Sequence, residues 1–296
     1  MRGVCIMKKF ETLPKETINV DIKAGEFILI INKKKKLSVN SNITFENRNI
    51  INIAIDNNKR INNSFMSLIK VYLTSLNPIR SIGKQCSEAI SNYTGLSLEE
   101  SEFKLKEVLN NLLCPNTETI MKSLPRKLEA YEKQRLMFAI AFIVKPKLIV
   151  LDDTIFKMEP ELKSYVLGEL KKLKEENKTS LILISKKLDI INEIIDNIAI
   201  MYKGTIVEYG KKDLLLTDPI HPHTRYTLTP KDNKSLTETA SKIADYVKDI
   251  NKLPPTGCSF CLKCKSASYD CIYMAPKVTT ISNDRQVICG NSTKIA

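Results

Sequence analysis

The sequence has no tryptophan, and aromatic residues make up only 6% of it. That scarcity argues against a surface that stacks nucleic-acid bases, which relies on interleaved aromatic and basic side chains. Long hydrophobic runs are also missing. Uninterrupted apolar stretches such as Phe27–Ile31 and Leu181–Ile184 fall far short of the roughly 18 residues that a bilayer span requires. The opening stretch from Met1 to Pro14 is basic but lacks the apolar segment of about 7–15 residues found in secretory signals. The expected location is therefore the cytoplasm. There the eight cysteines are expected to be reduced or metal-bound.

With 296 residues and 43% hydrophobic composition, the chain is long enough to bury a sizeable core. Its net charge of +13 comes from 46 Lys and Arg against 33 Asp and Glu. Most of the lysines are scattered singly or in pairs along amphipathic stretches. The excess thus reads as lysine-rich solvated faces, and no nucleic-acid partner is expected.

Short apolar runs over Glu26–Ile31, Leu148–Leu151 and Ser180–Ile184 predict buried strands. The first follows the turn signal Lys23-Ala24-Gly25, and the other two end in Asp152-Asp153 and Ser185-Lys186-Lys187. Polar groups just beyond strand ends mark the edge where open α/β sheets bind ligands. Helical spacing runs over Leu96–Leu113, Glu132–Val144 and Glu161–Glu176, and the alternation predicts a largely parallel sheet covered by helices. Ala199–Tyr202 and Thr205–Tyr209 flank Lys203-Gly204, which reads as a hairpin. Beyond Leu253-Pro254-Pro255 the composition changes: five of the eight cysteines lie between Cys258 and Cys289.

The stretch Ile198–Gly210 resembles the closing strands of an ATP-binding-cassette (ABC) core. Asp218-Pro219-Ile220-His221-Pro222-His223-Thr224-Arg225 is similar to the element that opens the C-terminal extension of the ATP-binding subunits of oligopeptide, dipeptide and nickel ABC importers. Gly257-Cys258-Ser259-Phe260, with Cys264, Cys271 and Cys289 beyond it, resembles the cysteine pattern that ends that extension. Thr74–Pro78 with Gln85, Gln134–Met137 and Pro146–Leu148 resemble further stations of the family, so the likeness covers roughly residues 10 to 290.

The resemblance implies an α/β fold with an ABC-type nucleotide-binding domain over 1–217, including a helical subdomain at about 79–145. A small cysteine-rich C-terminal extension would follow over 218–296. It implies as partners the membrane permease subunits of an importer and a sister ATPase, at the inner face of the cell membrane. It further implies a [4Fe-4S] cluster, or alternatively zinc, on Cys258, Cys264, Cys271 and Cys289, with Cys261 as a spare or alternative ligand; four thiolates suit either group.

Against that pattern the nucleotide stations are altered. The phosphate loop of this fold needs glycines, a lysine and a Ser/Thr, yet Asn32–Asn40 contains no glycine. Ser38 stands at the lysine position and Val39-Asn40 at the Ser/Thr pair. Side chains there oppose the positive-φ backbone and close approach that a phosphate cradle needs. Lys70 stands where the family has its Q-loop glutamine, Glu129-Ala130-Tyr131 where it has Ser-Gly-Gly, and Lys186 where it has the switch histidine. Asp152 keeps the Mg²⁺-organising position. Asp153 replaces the glutamate base with a side chain one methylene shorter, and a displacement of about an ångström can cost about a hundredfold in rate. The stretch between the loop and the Q-loop position also reads about 20 residues short of the family.

The leading expectation is a degenerate, structural or regulatory cassette subunit of a peptide importer, with ATP and Mg²⁺ binding in doubt and little hydrolysis. The alternatives are an active ATPase with a lysine-based phosphate site, a basic metal-stapled nucleic-acid binder, and a remnant with no transport role.

Overall fold

A computed structural model describes residues 17–32, 42–46, 48–49, 65–67, 76–152, 157–186, 193–228 and 257–291. The chain divides into two compact units, one of Asn19–Ala199 and one of Ile200–Ala296 with Met1–Ile18.

The first unit opens with β1 (Asn19–Ile22), whose alternating exposure turns Val20 and Ile22 inward. A turn follows in which the Glu26 amide donates to the Lys23 carbonyl at 3.1 Å and Gly25 takes φ +75°, a value that glycine adopts without strain. It feeds β2 (Phe27–Ile31), buried along its whole length. Next come β3 (Asn42–Phe45), parallel to β1, and β4 (Arg48–Asn49), antiparallel to β3. The short β5 (Phe65–Ser67) precedes a helical segment.

That segment holds α1 (Ile82–Thr94), α2 (Leu98–Asn111), α3 (Thr117–Lys122) and α4 (Ala130–Val144). The sequence predicts the second of these over Leu96–Leu113, but it starts at Leu98 because Ser97 and Glu100 form a capping box. The Ser97 hydroxyl accepts from the Glu100 amide at 3.2 Å, and the Glu100 carboxylate accepts from the Ser97 amide at 2.8 Å, satisfying two N–H groups that the helix itself leaves unpaired. Gly83 lets α1 approach α3, since a Cβ there would lie 2.9 Å from the Met121 carbonyl.

The unit continues with β6 (Leu148–Asp152), α5 (Pro160–Asn177) and β7 (Ser180–Ser185). The strands order β2-β7-β6-β5, all parallel. Residues in β2 and β7 are buried on both faces, which is why their sequences are continuous apolar runs instead of alternating ones.

Strand β8 (Asn197–Tyr202) carries the chain from the first unit into the second. It turns on Lys203 and Gly204, both at positive φ, into β9 (Thr205–Lys211), as the hairpin signal predicts. After α6 (Lys212–Thr217) and α7 (Pro222–Leu228), the description resumes with a 3₁₀ turn at Cys261–Lys263, α8 (Tyr269–Tyr273), β10 (Val278–Ser282) and β11 (Arg285–Ile288). Strand β11 lies between β10 and β9, antiparallel to both.

Candidate functional site

Parallel pairing fixes the ligand edge of the first unit. Register places Asp152 opposite Ile184 and Ile31 opposite Ser185, and the Asn32 amide donates to the Ser185 carbonyl at 2.7 Å. The carboxyl ends of β2, β7 and β6 therefore bring Asn32, Lys186 and the backbone of Asp152 to one rim. Asn32 is buried and Lys186 exposed. Ser38, Val39, Asn40, Lys70 and Asp153 lie outside the described residues, as does the side chain of Asp152. The stretch read as short in sequence also lies largely outside them.

Glu129-Ala130-Tyr131, read in sequence against Ser-Gly-Gly, lie among the described residues. Glu129 caps α4, and its amide donates to the Glu132 carboxylate at 2.8 Å. Tyr131, on the first turn and 46% exposed, lies under the Arg135 guanidinium at 5.2 Å from its ring centroid. A helix N-terminus carries partial positive charge and attracts anions. Here the chain's own carboxylates from Glu129 and Glu132 take that place, and an aromatic side chain stands beside them. Earlier in the same unit, Gln85 clamps the turn before α1: its Nε2 donates to the Asn77 and Arg80 carbonyls at 3.0 and 2.8 Å, and its Oε1 accepts from the Asn77 amide at 2.7 Å.

In the second unit, Cys258, Cys261, Cys264, Cys271 and Cys289 line one cavity together with His221. The cavity holds about 310 Å³ of space between atoms, its open mouth included. The run from Cys258 to Cys264 is wound by successive amide bonds, Cys261 to the Cys258 carbonyl and Cys264 to the Cys261 carbonyl, both at 3.1 Å. The Cys258 amide donates to the Cys271 carbonyl at 2.8 Å. Gly257 is required for that approach, because any Cβ would overlap the Ile272 carbonyl. Cys289 directly follows β11.

None of these cysteines is in a disulfide. Burial pushes the Cys258 and Cys264 thiols up to about 11, and neighbouring cysteines add to the rise. Cys289 is raised for the same first reason. Without a cation the three are neutral thiols at pH 7, and a bound metal would deprotonate them. Among the described residues no three His, Cys, Asp or Glu side chains converge closely enough to hold a single metal ion.

Sequence reasoning missed the support beneath this cavity. Glu208 on β9 is fully buried, and Arg285 on β11 is 5% exposed. Arg285 Nη2 meets Glu208 Oε1 at 2.8 Å. Glu208 also accepts from the Ile220 amide at 3.1 Å and the His221 amide at 2.9 Å. Arg285 donates to the Asp218 carbonyl as well. This knot fixes 218–221, and with it His221, whose Nδ1 accepts from the His223 amide at 2.9 Å. Burial lowers the His221 pKa to about 3, with His223 adding to the effect. The rings of Tyr202, His223 and His221 pack around Phe260, with centroids 5.1, 5.0 and 5.9 Å away. The one available signal was a glutamate directly after the apolar pair Ile206-Val207 in a strand pattern.

The first unit is thus an open α/β fold with its ligand edge at the carboxyl ends of parallel strands, and in the second a cysteine-lined cavity borders a hairpin. In sequence, the chain aligns with the oligopeptide transport ATP-binding protein AppD of Bacillus subtilis at 29% identity, over 85% of this chain and 77% of that protein. It aligns with the oligopeptide transport ATP-binding protein OppD of Haemophilus influenzae at 24%, over 85% and 78%. Its homologues are therefore ATP-binding proteins of oligopeptide transport. A solved ATP-binding cassette, in a dimeric post-hydrolysis state bound to ADP and Pi, matches 67% of this chain and 90% of its own, with 17% identity and a TM-score of 0.49. No family model matches the chain. Among the described residues, no helix is long and apolar enough to cross a membrane.

Proposed function

We propose that this chain is a degenerate ATP-binding-cassette subunit of a peptide importer, acting in assembly or regulation with negligible ATP hydrolysis. The observation that supports low activity is the start of α4, where Glu129, Glu132 and Tyr131 stand at a helix end that would otherwise favour an anion. Placing a nucleotide phosphate against two carboxylates is electrostatically unfavourable. The glycine-free stretch Asn32–Asn40, Lys70 and the shortened Asp153 point the same way. Docking on membrane permease subunits and on a sister ATPase, at the inner face of the membrane, follows from the relatives' role in transport.

We also propose an iron–sulfur cluster on Cys258, Cys264, Cys271 and Cys289. The four line one cavity and none is in a disulfide, which supports this reading. Zinc would draw four sulfurs to about 2.3 Å from one ion. A [4Fe-4S] cluster likewise takes four cysteine thiolates, and zinc is the alternative occupant of the same set. When bound, the cluster would supply folding energy to a tail with few large apolar residues.

One anaerobic preparation of the full chain tests both statements. Turnover of MgATP should stay far below about one per second, the low end for ordinary enzymes, and iron, sulfide and absorption near 400 nm should accompany the protein. Turnover near one per second that Asp153→Ala abolishes would overturn the first statement. A colourless preparation, whether it holds zinc or no metal, would overturn the second.

A further inference from the structure

We propose that the Nε2–H of His221 donates a hydrogen bond to a sulfur of the cluster held by Cys258, Cys264, Cys271 and Cys289, and thereby sets its reduction potential. The inference rests on the cluster reading above and adds a residue that the cysteine pattern does not contain.

The chain has two histidines, and only His221 borders the cysteine cavity. It is 1% exposed. Its Nδ1 accepts from the His223 amide at 2.9 Å. A backbone N–H can only donate, so Nδ1 presents its lone pair, and the proton of the neutral ring sits on Nε2. Among the described residues Nε2 has no hydrogen-bond partner. His221 is one of the residues that line the cysteine cavity, and its Nε2 is not sealed inside the packed interior. A sulfur acceptor in the cavity would give this N–H a partner within the protein.

The same geometry excludes the histidine as a metal ligand. For Nε2 to coordinate, the proton would have to move to Nδ1, setting one N–H against the N–H of His223. The ring packs against Phe260 and His223, with centroids 5.9 and 6.5 Å away, and turning it would break the bond from the His223 amide. Its place is therefore that of a positioning donor. Hydrogen bonds to cluster sulfurs favour the more negative, reduced form and raise the potential.

The test is to load the full-length wild type, His221→Phe and His221→Gln anaerobically with ferrous iron and sulfide. Iron content is then measured, and the potential is followed by electron paramagnetic resonance. The Phe variant should keep its iron while its one-electron reduction constant falls about tenfold, equivalent to about 59 mV. Gln, which retains an N–H, should recover part of the loss. Equal potentials in all three overturn the proposal. So does loss of iron from both folded variants, which would make His221 a ligand. Should Phe prevent folding, wild type labelled with ¹⁵N-histidine decides. A weak coupling to the reduced cluster supports the donor, whereas no coupling, or one of ligand strength, overturns it. If the wild type takes up no cluster at all, the underlying cluster reading fails, a result distinct from the others.

Discussion

Cys86 and Cys258 carry the same thiol in opposite surroundings. Cys86 sits on α1, fully buried, and burial alone pushes its thiol up to about 12; Cys258 shares its cavity with four other cysteines. The thiolate is the nucleophile, so Cys86 should resist iodoacetamide in the folded chain and react only after unfolding. The folded chain therefore holds the Cys86 proton more tightly than the unfolded chain does. The stability that Cys86 contributes by staying neutral is complete below about pH 9 and is lost as pH rises towards 12. Denaturation midpoints between pH 8 and 11 check this: Cys86→Ala should flatten the alkaline fall, and an unchanged slope would contradict it. The cysteine pattern itself was legible in sequence as spacing. The histidine beside it was not, because its role depends on which ring nitrogen faces a backbone amide.

At the scale of elements, strands without polar interruptions were the easiest to read. Phe27–Ile31 and Ser180–Ser185 are buried on both faces, and hydrophobic continuity alone specifies such strands. Helix ends were harder: α2 and α4 start where capping groups lie, not where apolar periodicity begins. Strands β10 and β11 were not anticipated. Residues in β10 are largely exposed, and β11 owes its place to β9 and to the Arg285–Glu208 pair. Removing one partner of a buried ion pair typically costs about 3–5 kcal/mol because the other charge is left uncompensated. Glu208→Ala should destabilise the chain by that order, since it also strips acceptors from the Ile220 and His221 amides. The double variant Glu208→Leu with Arg285→Met should cost less than the sum of the two single changes in urea denaturation. Strict additivity would show that the pair is not coupled.

For the whole molecule, parallel strands and the order of helices were legible because burial depends on side chains that the sequence displays directly. The nucleotide edge was legible only as a set of replacements. What each does depends on where charge and backbone stand at strand and helix ends. Glu129 and Glu132 at the start of α4 illustrate the point: in sequence they are two acidic residues, and in three dimensions they place negative charge at the end of a helix dipole. On the reading proposed above, the fold is retained without nucleotide chemistry. That reading is met most directly by thermal unfolding of the full chain with and without millimolar MgATP. A ligand present at a hundred times its dissociation constant stabilises by about 2.7 kcal/mol, a readily visible rise in Tm. This chain should unfold cooperatively at the same temperature in both conditions, whereas a saturable rise in Tm with MgATP would show that it still binds nucleotide and would contradict the account.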